Sequence, residues 1–323
     1  MTTMEAKRLT VLITGASGFI GKHLINSLIG SNEFSIRGLV GRNMVDFNDL
    51  NVKIYAETID ENTDWTEKLR DCDVVIHLAG IAHVFDKPSA EMKDKYQSIN
   101  VRSTANLAKY AVKAGVKKFI FLSSITVNGF ETNKDTPFTE NDKLNPNTLY
   151  ASSKSEAEDL VKLTCENTNM SYVIIRPPLT YGLGVKGNFE SLIKIVKKRI
   201  PLPLRSINNK RSFISVYNLV DFIRCCVKNP MAENQIFLVS DGEDVSIGEL
   251  LSKTAKSMNC PIYLFSLPQW FLKMLGYLTK KQDAIQRLCG SMQVDITKAR
   301  KLLSWQPNLS MDESLFIMMK DKS

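Results

Sequence analysis

The sequence predicts an α/β fold: a doubly wound parallel sheet with helices on both faces and a smaller C-terminal α/β lobe. Three observations predict it. Short apolar runs alternate with helical stretches through the first half, the pattern of a parallel sheet buried between two helical layers. A glycine-rich turn joins the first run to the first helix. The texture then changes near Leu179, where prolines and glycines crowd together. At 323 residues the chain is long for a single core, which also favours a main domain plus a lobe.

The elements follow in order. "LTVLIT" (9–14) reads as a buried strand and Phe19–Ile29 as a helix. "SIRGLV" (35–40), "VKIYA" (52–56), "DVVIHLAG" (73–80) and "KFIFLSS" (118–124) read as further strands, with the longest intervening helix from about Met92 to Ala114. "SYVIIRPP" (171–178) is a strand ended by two prolines. The expected division is 1–178 for the sheet domain and 179–323 mainly for the lobe. The chain is expected to return to the main sheet at "SFISV" (212–216) and "QIFLVS" (235–240).

Composition narrows the function classes. Apolar residues make up 44% and charged residues 24%, ordinary for a globular enzyme. The formal net charge is +8, yet no long Lys/Arg block interleaved with aromatics suggests a nucleic-acid surface. A positive balance suits an anionic small-molecule ligand. The six cysteines form no C-x-x-C pair and most sit in apolar segments, as expected of reduced thiols in a cytoplasmic protein. His23, His77 and His83 share no metal-ligand spacing, so no metal is expected; His77 reads as a strand residue packed in the sheet. The N-terminus runs straight into a strand without a signal-type apolar region, and no 18-residue uncharged apolar run predicts a membrane span. Residues 261–281, "PIYLFSLPQWFLKMLGYLTKK", read as a packed helix over the substrate cleft, with an interfacial anchor as the alternative.

The glycine turn is the first functional signal. "ITGASGFIGKHL" sets Gly15, Gly18 and Gly21 after the first strand and at the mouth of a helix. Gly15 permits the tight turn, Gly18 lets the backbone approach a pyrophosphate, and Gly21 lets the helix pack close to the sheet. The helix N-terminus, with Phe19 and Ile20, then offers N–H groups to the phosphates. This is the Rossmann-type dinucleotide turn in its required strand–turn–helix context. The second strand ends "GLVGRN" with no acid to bond a ribose 2′-hydroxyl. Arg42 stands near that position and suits a 2′-phosphate, so NADP(H) is favoured and NAD(H) remains possible.

A second constellation lies further along. "LYASSKSEAEDL" (149–160) puts Tyr150 and Lys154 one helical turn apart on one face. An ammonium beside a phenol is expected to lower its pKa towards neutrality and make it an acid/base. Ser123 and Ser124 close the fifth strand at its C-terminal end, where open α/β sheets bind ligands, and Ser124 can share an oxygen with Tyr150. Glu156, Glu158 and Asp159 read as a solvated or partner-facing side of the helix.

The G-x-x-G-x-x-G spacing followed by "HLAG" resembles the extended short-chain dehydrogenase/reductase family. The resemblance implies hydride transfer with Ser124, Tyr150 and Lys154 as the catalytic core. In it Lys154 also bonds the nicotinamide ribose and Asn100 positions a main-chain or water relay. It further places Glu57 and Thr58 at the adenine, Leu78, Ala79 and Gly80 along the cofactor channel, and Pro177 against the nicotinamide. "RPPLTYGLGVKGNF", "IPLPL" and "NNKRSFISVYNLVD" look like the nucleotide-sugar epimerases and reductases of that family. By that likeness Asn188 and Arg211 contact a diphosphate, Leu202 to Leu204 line a uracil slot, and Arg287 is a second phosphate arginine. His83 edges the substrate, as does Asn128, which stands where galactose 4-epimerases carry tyrosine. "SSITVNG", "GVKGNF", "PLPL" and "GSMQVD" together look like the bacterial reductases that form UDP-N-acetylquinovosamine. The expected activity is therefore NADP(H)-dependent reduction of a UDP-2-acetamido-2,6-dideoxy-4-hexulose. The alternatives are a UDP-N-acetylhexosamine 4-epimerase with tightly held NAD and, more remotely, a non-enzymatic cofactor-sensing regulator. A homodimer through a four-helix bundle, built from the helices near 92–114 and 149–168, is the assembly the family implies.

Overall fold

The computed structural model describes residues 8–41, 45, 47, 49–82, 89–133, 135–278, 286 and 288–320. Seven parallel strands form the main sheet: β1 (Leu9–Thr14), β2 (Phe34–Val40), β3 (Val52–Ala56), β4 (Val74–His77), β5 (Lys118–Leu122), β6 (Ser171–Arg176) and, far along the chain, β9 (Gln235–Leu238). Their order is β3-β2-β1-β4-β5-β6-β9. The direction of winding reverses between β1 and β4, the switch point outside which such sheets bind ligands.

Alternate residues of each strand feed opposite faces, as the pleat requires. Val11 and Ile13 pack with α1 (Phe19–Leu28) and α7 (Val216–Lys228) on one face. Leu12 joins Leu107 and Ala108 of α4 (Ser103–Lys113) and Ala157 and Val161 of α5 (Leu149–Cys165) on the other. A short helix α2 (Thr66–Leu69) precedes β4. The single helix expected near 92–114 is in fact α3 (Ala90–Tyr96), a π-helical turn (Gln97–Arg102) and α4. The wide turn contains Asn100.

The lobe holds a three-stranded sheet in the order β10-β8-β7, from β7 (Leu179–Tyr181), β8 (Arg211–Ser215) and β10 (Asp244–Val245). The strand expected to re-enter the main sheet at 212–216 is therefore β8 of this small sheet, pairing parallel with β7; β9 makes the return. Both runs are apolar enough for either sheet, and only the tertiary partner distinguishes them. Helices α6 (Asn188–Lys197), α8 (Ile247–Ser257) and α11 (Met311–Lys320) enclose a separate core around Tyr181, Phe189, Leu250 and Met311. Helix α10 (Thr297–Leu303) packs back against the main core.

Helix α9 (Gln269–Leu278) departs from the expectation of a packed cover: Trp270 is 66%, Tyr277 71% and Leu278 69% exposed. Among the described residues no helix is long and apolar enough to cross a membrane, and no cluster of His, Cys, Asp or Glu could hold a metal ion. No disulfide joins any of the six cysteines; Cys72, Cys165 and Cys226 are buried.

Candidate active site

The glycine turn lies at the switch point. Gly15 has φ +70°, and a Cβ there would stand 2.9 Å from the Ala79 nitrogen, too close for any side chain. A Cβ on Gly21 would meet the Gly15 carbonyl oxygen at 2.3 Å. The turn must therefore be glycine to bring α1 this near the sheet. No side chain caps α1, which leaves its first-turn N–H groups to an anion. Phe19 and Ile20 are half-buried behind them.

The loop after β4 runs past this turn, and Leu78, Ala79 and Gly80 belong to it rather than to the strand. The Ala79 N–H donates to Thr14 Oγ1 at 3.2 Å. Thr14 Oγ1 is 2.7 Å from His77 Nδ1, and His77 Nε2 is 2.9 Å from Thr104 Oγ1, which donates to the Asn100 carbonyl at 2.7 Å. Burial holds His77 neutral, its pKa pushed down to about 3. Asn100 is buried and its carboxamide is committed: it accepts from Ile81 N–H at 2.9 Å and donates to the Ile81 carbonyl and Ser153 Oγ, each at 3.0 Å. Ser153 in turn donates to the Tyr150 carbonyl at 2.8 Å. This chain of bonds was not read from the sequence. Its one signal there was a polar residue, Thr14 or His77, closing an otherwise apolar strand at the glycine turn and at "HLAG".

Helix α5 begins with Thr148 as its cap, accepting from Ala151 N–H at 3.1 Å, and this puts Tyr150 on the first turn. Ser124 is extended at the end of β5. Its oxygen accepts from Thr126 Oγ1 at 2.9 Å, so its own proton is left for the Tyr150 phenol, the one influence that lowers that group's pKa. Lys154 Nζ sits 4.2 Å from the centre of the Phe121 ring, and a Cβ on Gly80 would be 3.9 Å from it.

The expected lowering of Tyr150 by Lys154 is not what this arrangement produces. Burial raises the phenol to about 12, with a further push from Tyr96, whose ring centre lies 6.3 Å away. Burial also lowers Lys154 to about 7, against an upward pull from Glu158. The cause is burial, which opposes the charged form of both groups, the phenolate and the ammonium alike, while Lys154 Nζ lies over the Phe121 ring. Ser123 completes this wall with a buried hydroxyl that has no partner. An unpartnered donor beside Lys154's helix, an uncapped helix end and a glycine cradle together fit a dinucleotide.

Two buried polar side chains stand nearby, and the first corrects a sequence expectation. Glu158 is not on a solvated face: it is 0% exposed and holds Arg176, 1% exposed, through two bonds of 3.0 and 2.6 Å. Asn128 lines the cavity described below, and its carboxamide is engaged on the protein side. It accepts from Arg176 Nη1 at 3.0 Å and donates to the Thr139 carbonyl at 3.0 Å. Both follow from Arg176 closing β6 inside the core, where its charge must be paired.

The remaining predicted residues are spread wider. Pro177 is buried and its carbonyl accepts from Ile125 N–H at 3.0 Å. Glu57 is paired with Lys68 at 2.5 Å, and Thr58 is exposed. Asn188 opens α6. Arg211 opens β8, donating to the Gly290 carbonyl at 3.1 Å with Glu131 as a nearby acid. Leu204 is buried among Val196, Ile207 and Leu251, with Leu202 partly buried against the same cluster, so Leu204 serves a core rather than an open slot. Arg42, His83 and Arg287 lie outside the described residues. A cavity of ≈ 640 Å³ opens at the N-terminal cap of α5, lined by Asn128, Thr148, Asn145, Glu131 and Phe138 among others.

A doubly wound sheet with this turn and a Ser–Tyr–Lys cluster at the carboxyl edge of its strands defines a nicotinamide-dependent oxidoreductase class. Residues 11–248 match the NAD dependent epimerase/dehydratase family. The chain is 42% identical over 305 residues to a UDP-glucose 4-epimerase of Vibrio cholerae, covering 94% of this chain and 92% of that one. It is 27% identical over 336 residues to the dTDP-4-dehydro-6-deoxyglucose reductase of Escherichia coli, covering 98% of both. It shares its fold with the UDP-glucuronic acid 4-epimerase of Bacillus cereus in complex with UDP-glucuronic acid and NAD. There the TM-score is 0.78 at 22% identity, over 97% of this chain and 98% of the other. The protein belongs to the NAD dependent epimerase/dehydratase family, the epimerase and reductase branch of the extended short-chain dehydrogenases, and is an NAD(P)-dependent enzyme.

Proposed function

We propose that the enzyme carries out oxidoreduction at C4 of a UDP-sugar, and that it runs as an NADP(H)-dependent 4-ketoreductase on a UDP-2-acetamido-2,6-dideoxy-4-hexulose. The observation that carries the chemistry is the Ser124–Tyr150–Lys154 cluster beside the glycine turn. When bound, the dinucleotide supplies the hydride. Gly15, Gly18 and the N-terminus of α1 would hold its pyrophosphate, with Ser123, Lys154 and Pro177 at its nicotinamide end. Tyr150, held protonated at neutral pH, donates its proton to the sugar O4 as the ketone becomes an alcohol. Ser124 shares that oxygen and polarises the carbonyl. Asn100 acts through others, fixing the loop at Ile81 and the helix at Ser153.

A protonated tyrosine suits reduction, which needs an acid first. The absence of an acid after β2, with Arg42 near that place, supports NADP(H). Asn188 and Arg211 are the diphosphate contacts of this reading, and a homodimer through α4 and α5 is its assembly. A second reading, a UDP-hexose 4-epimerase that cycles a bound cofactor, is favoured by the 42% identity to the Vibrio cholerae UDP-glucose 4-epimerase.

One assay separates them. Purified enzyme is mixed with UDP-4-keto-6-deoxy-N-acetylglucosamine and NADPH or NADH, and nicotinamide absorbance is followed. The first reading expects stoichiometric loss, faster with NADPH. No loss, with interconversion of UDP-GlcNAc and UDP-GalNAc or of UDP-glucose and UDP-galactose, overturns it. Tyr150→Phe should lower turnover by at least about 100-fold while cofactor binding persists; full activity would remove Tyr150 from the mechanism.

A further inference from the structure

Helix α9 presents an apolar face to solvent. Trp270, Phe271, Met274, Tyr277 and Leu278 are all exposed. Their offsets of one, four, seven and eight residues from Trp270 place them within about 120° of one helix face. Tyr263 and Phe265, in the segment leading to the helix, are exposed as well. Scattered exposed hydrophobics are ordinary, but a continuous stripe of this size marks a contact surface.

The charge of the chain is concentrated around it. Residues 191–220 and 250–282 contain twelve of the 42 bases and none of the 34 acids; the rest of the chain, with 30 bases against 34 acids, is net negative. The fold joins these two stretches. Leu202 N–H donates to the Tyr263 carbonyl at 2.9 Å, Phe265 N–H to the Leu202 carbonyl at 3.0 Å and Arg205 N–H to the Phe265 carbonyl at 3.2 Å. Lys194, Lys210 and Lys253 are engaged by acids. Lys197, Lys198, Arg199 and Arg205 are exposed on the strip that leads into Leu202–Phe265.

We propose that this face of the lobe is a docking surface for an anionic lipid bilayer, with α9 lying in the interface and the 197–205 bases against the headgroups. Tryptophan and tyrosine with aliphatic neighbours suit that boundary, where one end of the side chain is apolar and the other wet. The neighbouring exposed Lys197, Lys198, Arg199 and Arg205 attract anionic lipid and repel a second copy of the same face. The enzyme docks reversibly, since a ten-residue helix inserts only its face. Docking requires no change at the Tyr150 site and is independent of which sugar that site accepts.

The test is sedimentation of the full-length protein with vesicles of phosphatidylcholine, alone or mixed with phosphatidylglycerol, at low and high salt. Trp270 fluorescence is read in parallel. Expected are at least about tenfold tighter binding to the mixed vesicles, weakening with salt, and a blue shift of Trp270. Trp270→Ser with Tyr277→Ser should abolish binding and leave the melting temperature and turnover of soluble substrate unchanged, because both side chains are exposed. Lys197→Gln with Lys198→Gln and Arg199→Gln should remove the lipid selectivity. Equal binding to both vesicles, binding indifferent to these variants, or a Trp270-dependent dimer that ignores vesicles would each overturn the proposal.

Discussion

Glu158→Gln tests the placement of the catalytic helix most directly. The wild-type carboxylate is fully buried and grips the Arg176 guanidinium with both oxygens. Gln preserves shape and one acceptor but leaves the Arg176 charge uncompensated in the core. Breaking a buried pair in this way costs about 3–5 kcal/mol. For a chain of this length that corresponds to a fall in melting temperature of roughly 6–10 °C, at about 2 °C per kcal/mol. The assay is thermal and urea unfolding, with coincidence of two probes checked before a free energy is quoted. A double variant, Glu158→Leu with Arg176→Met, should recover much of the loss because no charge remains buried. Recovery will be incomplete, since Asn128 Oδ1 loses its donor at a cost of about 1–3 kcal/mol. The single variant has a second expected effect. Glu158 pulls the Lys154 pKa upward, so its removal lets that group fall further below about 7. A melting temperature unchanged by Glu158→Gln, or effects of Glu158→Gln and Arg176→Met that simply add, would refute the pairing.

Three further outcomes follow from the same geometry. Lys154 titrates near 7 in the folded chain against 10.5 in the unfolded one, so the unfolded state binds more protons between those values. Stability should rise with pH from 7 to 9 by up to about 1.4 kcal/mol per unit from this group. Lys154→Met should flatten that rise in urea titrations, and an identical slope in the variant would contradict the burial of the ammonium. Gly15→Ala forces a Cβ against the Ala79 nitrogen at positive φ and should destabilise the chain by about 1–3 kcal/mol while weakening dinucleotide binding, read by calorimetry. Unaltered affinity would remove the turn from the cofactor site. His77→Phe keeps the ring stacked on Phe121 but leaves Thr14 and Thr104 without their partner. It should raise the KM for the dinucleotide and lower kcat together, whereas a loss of stability alone would reduce the histidine to packing.

The sheet was legible because its signal is local. A strand buried on both faces must be apolar throughout, and a turn that touches phosphate must be glycine, so β1 and Gly15 could be read without their neighbours. Partner choice is not local. The runs at 212–216 and 235–240 look alike, and only their registers with β7 and β6 assign them to different sheets. Glu158 did leave a trace: Ala151, Lys154, Glu158, Val161 and Cys165 recur at helical spacing and are all buried. Arg176 likewise ended a strand, "YVIIR", in which no other charge occurs. Two opposite charges in two apolar stripes predict one another, and the acidic run 156–159 concealed it. The apolarity of α9 suggested a packed cover, yet its aromatic face is exposed, because a run of apolar residues does not say which element, if any, it packs against.

The proton directions in the site are fixed by one element. Thr104 gives its proton to the Asn100 carbonyl, so its oxygen can only accept from His77 Nε2. The neutral ring then carries no proton on Nδ1, which accepts from Thr14, and the Thr14 oxygen is left to receive the Ala79 N–H. Every link has one orientation. A proton added at Nδ1 would set donor against donor, which is consistent with the deep suppression of its basicity. The chain begins at the strand end that carries the glycine turn and finishes at the π-helical turn, from which Asn100 holds Ser153 and Ser153 holds the first turn of α5. The first turn of α5, which carries Tyr150, is thus registered against the glycine-turn end of β1 through buried bonds of a single polarity. Burial brings Lys154 to about 7, so near neutral pH an anionic neighbour would be enough to hold it charged. One polar chain therefore joins the glycine turn to the first turn of α5, and it passes through the π turn at Asn100.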